Sequence, residues 1–186
     1  MRKIVAGIAF LMVFLMMASP GFCAANIVHN GGFETKKTDT LPDGWVTKVY
    51  RGTSAGFSFD DVEKHGGKYS YMVKINPPGG SLLLYPEKKM TDITPGKKYQ
   101  LSVWVKAKAI GYSPNFIAPA IRLNYKPSRT SPMPTIDLML EMKGEDGWKN
   151  LKLTTVAPPD AQEITLDLLL TNGNFWIDDI EITEIN

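Results

Sequence analysis

One tryptophan and several planar polar side chains occupy positions that β-strands would turn away from the protein interior. Residues 101–107 alternate apolar and polar side chains, which predicts a strand with one buried face and places Trp104 on the other face. The same period of two turns further polar side chains outward, namely Gln100, Arg122, Asn124, Asp137, Glu141 and Asp167. Sugar rings stack their apolar C–H faces on aromatic planes, and their hydroxyls need planar, multidentate partners. If these strands share one sheet, its open face is predicted to bind carbohydrate, with Trp104 as the platform.

Other aromatic residues extend this hypothesis, and several candidates also have a purely structural interpretation. The further aromatic candidates lie at predicted strand edges or in loops and are Tyr85, Tyr112, Tyr50 and Phe116. An exposed tryptophan is costly unless it is covered or used, and the loops at 110–115 and 126–135 could cover Trp104. Arg122 and Asp137 could pair with each other across a sheet. The other tryptophans are predicted to pack rather than to bind, with Trp45 and Trp148 in the core and Trp176 beside an acid pair.

Catalysis needs a converged set of reactive groups, and the sequence shows little sign of one. The two histidines, His29 and His65, lie in turn-like contexts without a serine or cysteine nucleophile motif, and no zinc signature is present. A glycosidase needs two carboxylates at a set separation, which Asp137, Glu141 and Asp167 could supply. Because any acidic sheet face offers such pairs by chance, a non-catalytic protein is predicted, with a small glycoside hydrolase as the alternative.

The first 25 residues differ in character from the rest of the chain. A basic start, an apolar run over residues 4–18 and helix-breaking residues after it are typical of a secretory signal peptide. Small side chains at Cys23 and Ala25 predict cleavage after Ala25, which leaves a mature chain of residues 26–186 that is secreted or periplasmic, as in bacterial export. Lipidation of Cys23 is the alternative, which the bulky Phe22 fits poorly. The run is shorter than the roughly 20 residues that span a bilayer, so no membrane span is expected in the mature form.

The charges of the predicted mature chain cancel. Arg2 and Lys3 leave with the signal peptide, so the basic residues then equal the 19 acidic ones in number. No electrostatic footprint for a nucleic acid remains. Cys23 is the only cysteine and also leaves, so the exported domain is predicted to hold no disulfide.

Alternation of apolar and polar side chains recurs along the mature chain, for example over residues 69–75 and 164–170. Turn signals rich in Gly, Pro, Asn and Asp separate these segments. About ten short strands at this spacing predict one all-β domain, a sandwich or a barrel. No helical period stands out after the signal peptide, and the Pro-rich stretch 126–135 is expected to form a long exposed loop.

Six segments, in order, resemble the secreted carbohydrate-binding modules of families four, nine and twenty-two. They are NGGFE at 30–34, PDGW at 42–45, HGGKYSYMVK at 65–74, TPGKKYQLSVWVKAK at 94–108, GWKNLKLTTVAPP at 147–159 and NFWIDDIEI at 174–182. The resemblance implies a jelly-roll β-sandwich of two antiparallel sheets, one convex and one concave, related to the galactose-binding-domain fold. Such folds host unrelated functions, so a secreted or envelope protein that uses the sandwich for contacts with a protein partner, without a glycan ligand, is the alternative.

The resemblance also implies a structural calcium ion. In similar modules the ion joins the first strand, the loop before the Gly-Lys-Tyr-Ser strand and the last strand. Matched residue by residue, Glu34 and one of Asp178 and Asp179 would supply carboxylates, and backbone carbonyls near Gly32 and Lys68 would add oxygens. Calcium takes roughly six to eight oxygen ligands and tolerates irregular loops. The alternative is that these acids are ordinary strand-end residues facing water.

Overall fold

The computed structural model describes residues 25–186 apart from 51, 77–78, 116, 129 and 144–146. Within these residues the chain forms twelve strands and one short helix. In chain order they are β1 (Lys36–Thr38), β2 (Leu41–Pro42), β3 (Trp45–Val49), β4 (Ala55–Asp60), β5 (Ser70–Ile75), β6 (Leu82–Pro86), β7 (Lys98–Lys108), β8 (Ala120–Lys126), β9 (Thr135–Asp137), α1 (Leu138–Glu141), β10 (Lys149–Val156), β11 (Glu163–Leu170) and β12 (Gly173–Ile185).

Two five-stranded sheets pack face to face. Sheet I has the strand order β10-β7-β12-β5-β4 and sheet II has the order β3-β6-β11-β8-β9, while β1 and β2 form a separate short pair. All pairings within both sheets are antiparallel. The fold is a jelly-roll β-sandwich, which confirms the fold class predicted from the sequence.

Strand β7 shows how alternation builds the core. Leu101, Val103 and Val105 are at most 1% exposed, whereas Trp104 between them is partly exposed. Strand β8 buries Ile121 and Leu123 toward the same interior from sheet II. The strand parity predicted for these two segments is therefore correct, and each sheet keeps an outer face free of core side chains.

The segment at 136–142 departs from the predicted strand pattern. Strand β9 ends at Asp137, and its carboxylate accepts hydrogen bonds from Met139 N at 2.8 Å and Leu140 N at 3.4 Å. An aspartate in extended conformation that accepts bonds from the next backbone N–H groups is a favourable helix N-cap. The helix α1 therefore replaces the expected strand, and the expectation of no helix after the signal peptide is wrong at this turn.

Hydrogen bonds of Asn26 attach the start of the described chain to its last strand. Asn26 Oδ1 accepts from Val28 N at 3.0 Å and from Ile182 N at 2.9 Å, and Asn26 Nδ2 donates to Ile180 O at 3.1 Å. A backbone hydrogen bond from Ile27 N to Ile182 O adds to these. The two ends of the sandwich are thus joined by polar contacts, without a covalent link.

The predicted signal peptide, including Cys23, lies outside the described residues except for Ala25. Among the residues that are described, no helix has the length and apolar character needed to cross a membrane.

Candidate functional site

The residues predicted to form one binding face lie on opposite sides of the sandwich. Trp104 and Gln100 belong to β7 in sheet I, whereas Arg122 and Asp167 belong to β8 and β11 in sheet II. The prediction that these side chains share one open face is therefore wrong. The chain crosses from one sheet to the other between β7 and β8, and alternation within a strand carries no information on which sheet the strand joins.

The indole of Trp104 faces away from the core, but another ring covers it. The ring of His65 is stacked on the indole, with centroids 3.6 Å apart and an interplanar angle of 14°. His65 also meets Trp148 at 6.1 Å in an edge-on arrangement, and its Nδ1 lies 2.7 Å from Asp179 Oδ2. One face of Trp104 is thus occupied by the loop between β4 and β5, not by the loops at 110–115 or 126–135.

The other tryptophans divide between core and surface. Trp45 is fully buried, as predicted. Trp148 is partly exposed beside His65 on the outer side of sheet I, so its predicted place in the core is wrong. Trp176 packs on the same side, and its Nε1 donates to Asp60 Oδ2 at 2.8 Å.

A groove of about 530 Å³ lies on the outer face of sheet II. Side chains from β6, β11 and β8 line it, together with Lys48 of β3 and the segment that follows β6. It brings together one aromatic ring and several planar or charged groups, chiefly Tyr85, Arg122, Asn124 and Asp167. This groove, and not the surface around Trp104, is where a partly exposed aromatic ring and several planar polar or charged groups meet.

Strand register explains why these side chains share a face. Directly opposed residues of antiparallel strands point to the same side of the sheet. Asp167 of β11 opposes Arg122 of β8. Leu83 of β6 opposes Lys48 of β3, and Tyr85 follows Leu83 at the period of two. The neighbouring inner positions are fully buried, Leu84 among them, which fixes the outward direction of Tyr85.

Asn124 lines the groove while being only 8% exposed. Its Oδ1 accepts a hydrogen bond from Tyr125 N at 3.0 Å, and it opposes Thr165 across the strand pair. The hydrogen bond from Tyr125 N fixes the orientation of this nearly covered amide in the groove.

Besides Trp104 and Gln100 on sheet I, the predicted ligand-binding residues Asp137, Glu141, Tyr112 and Tyr50 lie outside the lining of this groove. The Asp137 carboxylate caps α1, and Glu141 Oε2 forms an ion pair with Lys149 Nζ at 3.3 Å. Tyr112 is 51% exposed in the loop between β7 and β8, where its carbonyl accepts from Asn172 Nδ2 at 2.7 Å. Phe116 lies outside the described residues.

Sequence reasoning missed Lys48 and Leu83 as groove residues. The run LLLYP at 82–86 shows no apolar–polar alternation, so it gives no indication of which face is open. The position of Lys48 could not be predicted for a different reason, since only the pairing of β3 with β6 places it at the groove. The spacing of two residues between Leu83 and Tyr85 was the one local indication that their side chains share a face.

A cluster of acidic residues lies where strand β12 bulges. The register of β12 with β7 shifts between Asp178 and Glu181, and Asp179 has a positive φ of 43°. Asp178 is fully buried, and its carboxylate accepts from His65 N at 2.9 Å, Gly66 N at 3.1 Å and Asp179 N at 2.8 Å. The interpretation of Asp178 as an acid facing water is therefore wrong.

Burial raises the pKa of Asp178, and the charge of Asp179 raises it further. The hydrogen bonds from Gly66 N and His65 N act in the opposite direction but do not outweigh burial. The carboxylate of Asp178 is thus a buried charge stabilised by backbone donors, and a cation nearby would favour its ionised form.

The predicted calcium ligands converge in part. A Cβ added at Gly32 would lie 3.3 Å from Asp179 Oδ1 and 3.9 Å from Asp178 Oδ1, so both oxygens approach this point. The Glu34 carboxylate instead accepts from Lys68 N at 2.9 and 3.0 Å. Within the described part of the chain, no three acidic, histidine or cysteine side chains are arranged to bind a metal ion. Two of the predicted carboxylates thus approach one point, and the third accepts hydrogen bonds from the backbone.

Asp60 orders the loop that carries His65, and its contacts predict a pH effect. Burial acts to raise its pKa, but hydrogen bonds from Glu63 N, Trp176 Nε1 and Val62 N outweigh burial and lower the pKa of Asp60 below its usual value. A lowered folded-state pKa means that the stabilisation is present above the unfolded pKa and is lost as the pH falls through the folded one.

Asp60→Asn should therefore reduce the acid sensitivity of folding. Between about pH 6 and about pH 2.5 the melting temperature of the wild type should fall by roughly 2–4 °C more than that of the variant. Thermal melts across this range measure the difference, and Asp61→Asn at the next, exposed position controls for the loss of one charge. Equal acid sensitivity in wild type and Asp60→Asn would contradict the prediction.

Solved structures share this fold at low sequence identity. The enzymatically active domain of tailspike protein 4 from bacteriophage CBA120 superposes with a TM-score of 0.62 at 13% identity, over 86% of this chain and 21% of that chain. TmCBM61 in complex with β-1,4-galactotriose superposes with a TM-score of 0.58 at 15% identity, over 87% and 100%. A putative sugar-binding protein from Bacteroides thetaiotaomicron VPI-5482 gives a TM-score of 0.56 at 12% identity, over 87% and 100%.

No protein-family model and no curated protein sequence matches the chain. At the identities of the solved structures the similarity shows the fold alone, which is the jelly roll found in carbohydrate-binding modules. The chain spans about a fifth of the tailspike chain, so it shares a fold with one part of a much longer protein.

Proposed function

We propose that this protein is a non-catalytic carbohydrate-binding protein that holds an oligosaccharide or polysaccharide in the groove on the outer face of sheet II. The observation that carries the proposal is the convergence of Tyr85, Arg122 and Asp167 in one groove. TmCBM61, which has the same fold, holds β-1,4-galactotriose, and this supports a sugar as the ligand.

Each groove residue has a distinct part in the proposed recognition. Tyr85 offers a ring face on which the C–H side of a sugar can stack. Arg122 supplies several planar donors, and Asp167 supplies acceptors for ligand hydroxyls. Asn124 at the floor provides both a donor and an acceptor in a fixed orientation. Stacking supplies affinity in this arrangement, and the polar groups select the orientation of the sugar.

The positions of the acidic residues support a role without catalysis. Two of the three carboxylates considered for a glycosidase have structural roles, since Asp137 caps α1 and Glu141 pairs with Lys149. Asp167 lies in the groove and has an interaction partner of its own. Asp137 and Glu141 are thus unsuited to serve as a free acid–base pair beside it.

Affinity electrophoresis tests the proposed function. Native gels would contain soluble β-1,4-galactan, xylan, β-glucan, mannan or an acidic polysaccharide, and retarded migration in at least one gel is expected. Assays for reducing ends on the retarding polymer should show no release. Unchanged migration across the panel would reject glycan binding and favour a protein-interaction role, and release of reducing ends that is lost in Asp167→Asn would favour a hydrolase.

We also propose a structural calcium ion beside Gly32, held by Asp178 and Asp179 with nearby backbone carbonyls. The approach of Asp179 Oδ1 and Asp178 Oδ1 to the same point supports it, as does the burial of Asp178. When bound, the ion would neutralise two adjacent carboxylates. It would also join the last strand to the segment at Gly32 and to the loop at Gly66. Glu34 would take part only if its carboxylate left Lys68 N.

Calcium should then raise the melting temperature. An ion that binds only the folded state stabilises it by about 2.7 kcal/mol at a concentration of about 100 times its Kd, which corresponds to about 5–10 °C for a domain of this size. Thermal melts in chelator and in about 1 mM calcium measure the shift, which Asp179→Asn should abolish and Asp61→Asn should retain. Identical melting curves in both conditions would remove the ion from the proposal.

We propose further that the chain is exported, with cleavage after Ala25. The mass of the mature protein recovered from an expressing bacterium tests this, because a cleaved chain begins at Asn26. A chain that begins at Cys23 with added lipid mass would establish the anchored alternative, and retention of the first residues would contradict both.

A further inference from the structure

The groove on sheet II holds an excess of positive charge. Basic side chains line it from two strands, β3 and β8, and from the segment after β6, and they are Lys48, Lys88, Lys89, Arg122 and Lys126. The acidic side chains of the lining are fewer and are Glu87, Glu163 and Asp167. Basic and acidic residues of the predicted mature chain are equal in number, so this excess is local to the groove and not a property of the whole surface.

The acidic side chains of the groove already have partners. Glu163 lies 3.0 Å from Lys126 Nζ and 3.6 Å from Lys89 Nζ, with a side chain only 10% exposed. Glu87 pairs with Lys37 at 3.1 Å, outside the groove lining. Asp167 is not free either. Lys89 and Lys126 are therefore largely neutralised by Glu163.

Three cations remain without such a partner. In the described part of the chain, neither Lys48 nor Lys88 nor Arg122 forms an ion pair with a carboxylate. Lys48 stands on β3 and Arg122 on β8, on either side of the β6–β11 pair that carries Tyr85. The ring on which a sugar would stack is thus flanked on both sides by cations that form no ion pair in the described part of the chain.

An anionic ligand is the chemical complement of this arrangement. Arginine presents parallel N–H donors that match the two oxygens of a carboxylate, and charge-assisted hydrogen bonds are stronger than neutral ones. A cleft lined by one sign of charge also raises the local concentration of oppositely charged ligand. A neutral sugar would offer none of these cations a charged group.

We propose that the groove selects a polysaccharide that bears carboxylate groups, that is, a uronic-acid-containing glycan. The inference rests on the proposed function, since it specifies the glycan class for the same groove. Arg122 pairs with a uronate carboxylate at one side of Tyr85, and Lys48 contacts a carboxylate of a neighbouring sugar unit at the other side.

Comparing acidic polymers with neutral counterparts distinguishes the effect of ligand charge on binding from the effect of sugar identity. Affinity electrophoresis would compare polygalacturonate with its highly methyl-esterified form, glucuronoxylan with unsubstituted xylan, and alginate with neutral galactan. At least one acidic polymer should bind about tenfold more tightly than its neutral counterpart, and added salt should weaken that binding. Equal binding of the charged and neutral members of each pair would overturn this inference while leaving the proposed function intact, and binding of none of the polymers would reject both.

Charge-removing variants test whether the groove itself is responsible. Lys48→Gln should lower affinity for the acidic polymer about threefold to tenfold and leave affinity for any neutral polymer nearly unchanged. Arg122→Gln should lower affinity for the acidic polymer more than affinity for a neutral one, because Arg122 also donates to sugar hydroxyls. Lys152→Gln removes the same charge at an exposed position on β10 of sheet I, and should leave both affinities unchanged.

Two outcomes would overturn the assignment even if acidic polymers bind. An equal loss in Lys152→Gln and Lys48→Gln would show attraction by the whole surface and not by the groove. Equally tight binding of single-stranded DNA, competed by the acidic polymer, would show a general polyanion surface without glycan selectivity.

Discussion

Tyr85→Ala should weaken glycan binding by about 30-fold or more while the protein stays folded. Aromatic residues that stack at the centre of an interface typically contribute about 2 kcal/mol or more, which equals about a 30-fold change in affinity. Tyr85 is partly exposed on the outer face of β6, so its truncation removes a ring from the groove without opening a cavity in the core. Titration of the retarding polymer by affinity electrophoresis or calorimetry measures the loss.

Tyr112→Ala provides the matched control. The same ring is removed there from a loop outside the groove, where Tyr112 is 51% exposed, and affinity should not change. Trp104→Ala should likewise leave affinity unchanged, although it will lower stability because Trp104 packs under His65. A loss of binding in Trp104→Ala with normal binding in Tyr85→Ala would move the site to sheet I and contradict the proposal.

Asp178→Ala should destabilise the fold by about 3–5 kcal/mol. The substitution removes the acceptor for three backbone N–H groups, those of His65, Gly66 and Asp179, at a position with no exposed surface. Each buried donor left without a partner costs about 1–3 kcal/mol, and a small side chain adds a cavity. The affected loop carries His65, so its stacking on Trp104 should loosen as well.

Chemical denaturation in the presence of chelator measures this loss without a contribution from calcium. In thermal melts with chelator, the melting temperature should fall by about 10 °C for a domain of this size. Glu181→Ala, at an exposed position on the same strand, should change stability by about 0.5 kcal/mol or less. If Asp178→Ala unfolds at the same denaturant concentration as the wild type, the carboxylate does not stabilise the loop and its burial needs another explanation.

Asp178 and Asp137 show that the neighbouring residues do not determine the structural role of an acidic side chain. Both are acids beside apolar strands, and nothing in the neighbouring residues distinguishes a buried acceptor from a helix cap. Asp178 is buried because β12 bulges against β7 and the loop at His65 folds over it, and both are contacts between residues distant in sequence, 113 positions apart for His65 and Asp178. Asp137 caps α1 because β9 ends there. Only the assembled sandwich distinguishes these roles.

The sequence by itself determined the all-β class and the parity of the strands, because alternation at a period of two is a local consequence of strand geometry. The jelly-roll type was what the resemblance of its segments to carbohydrate-binding modules implied. It placed Leu101 and Val103 inside and Trp104 outside correctly. The tertiary structure decided which sheet each strand joins. It therefore separated Trp104 from Arg122 and placed Tyr85 and Lys48 in one groove with Arg122. Strand pairing depends on contacts distant in sequence, and side-chain alternation within one strand is the same whichever sheet that strand enters.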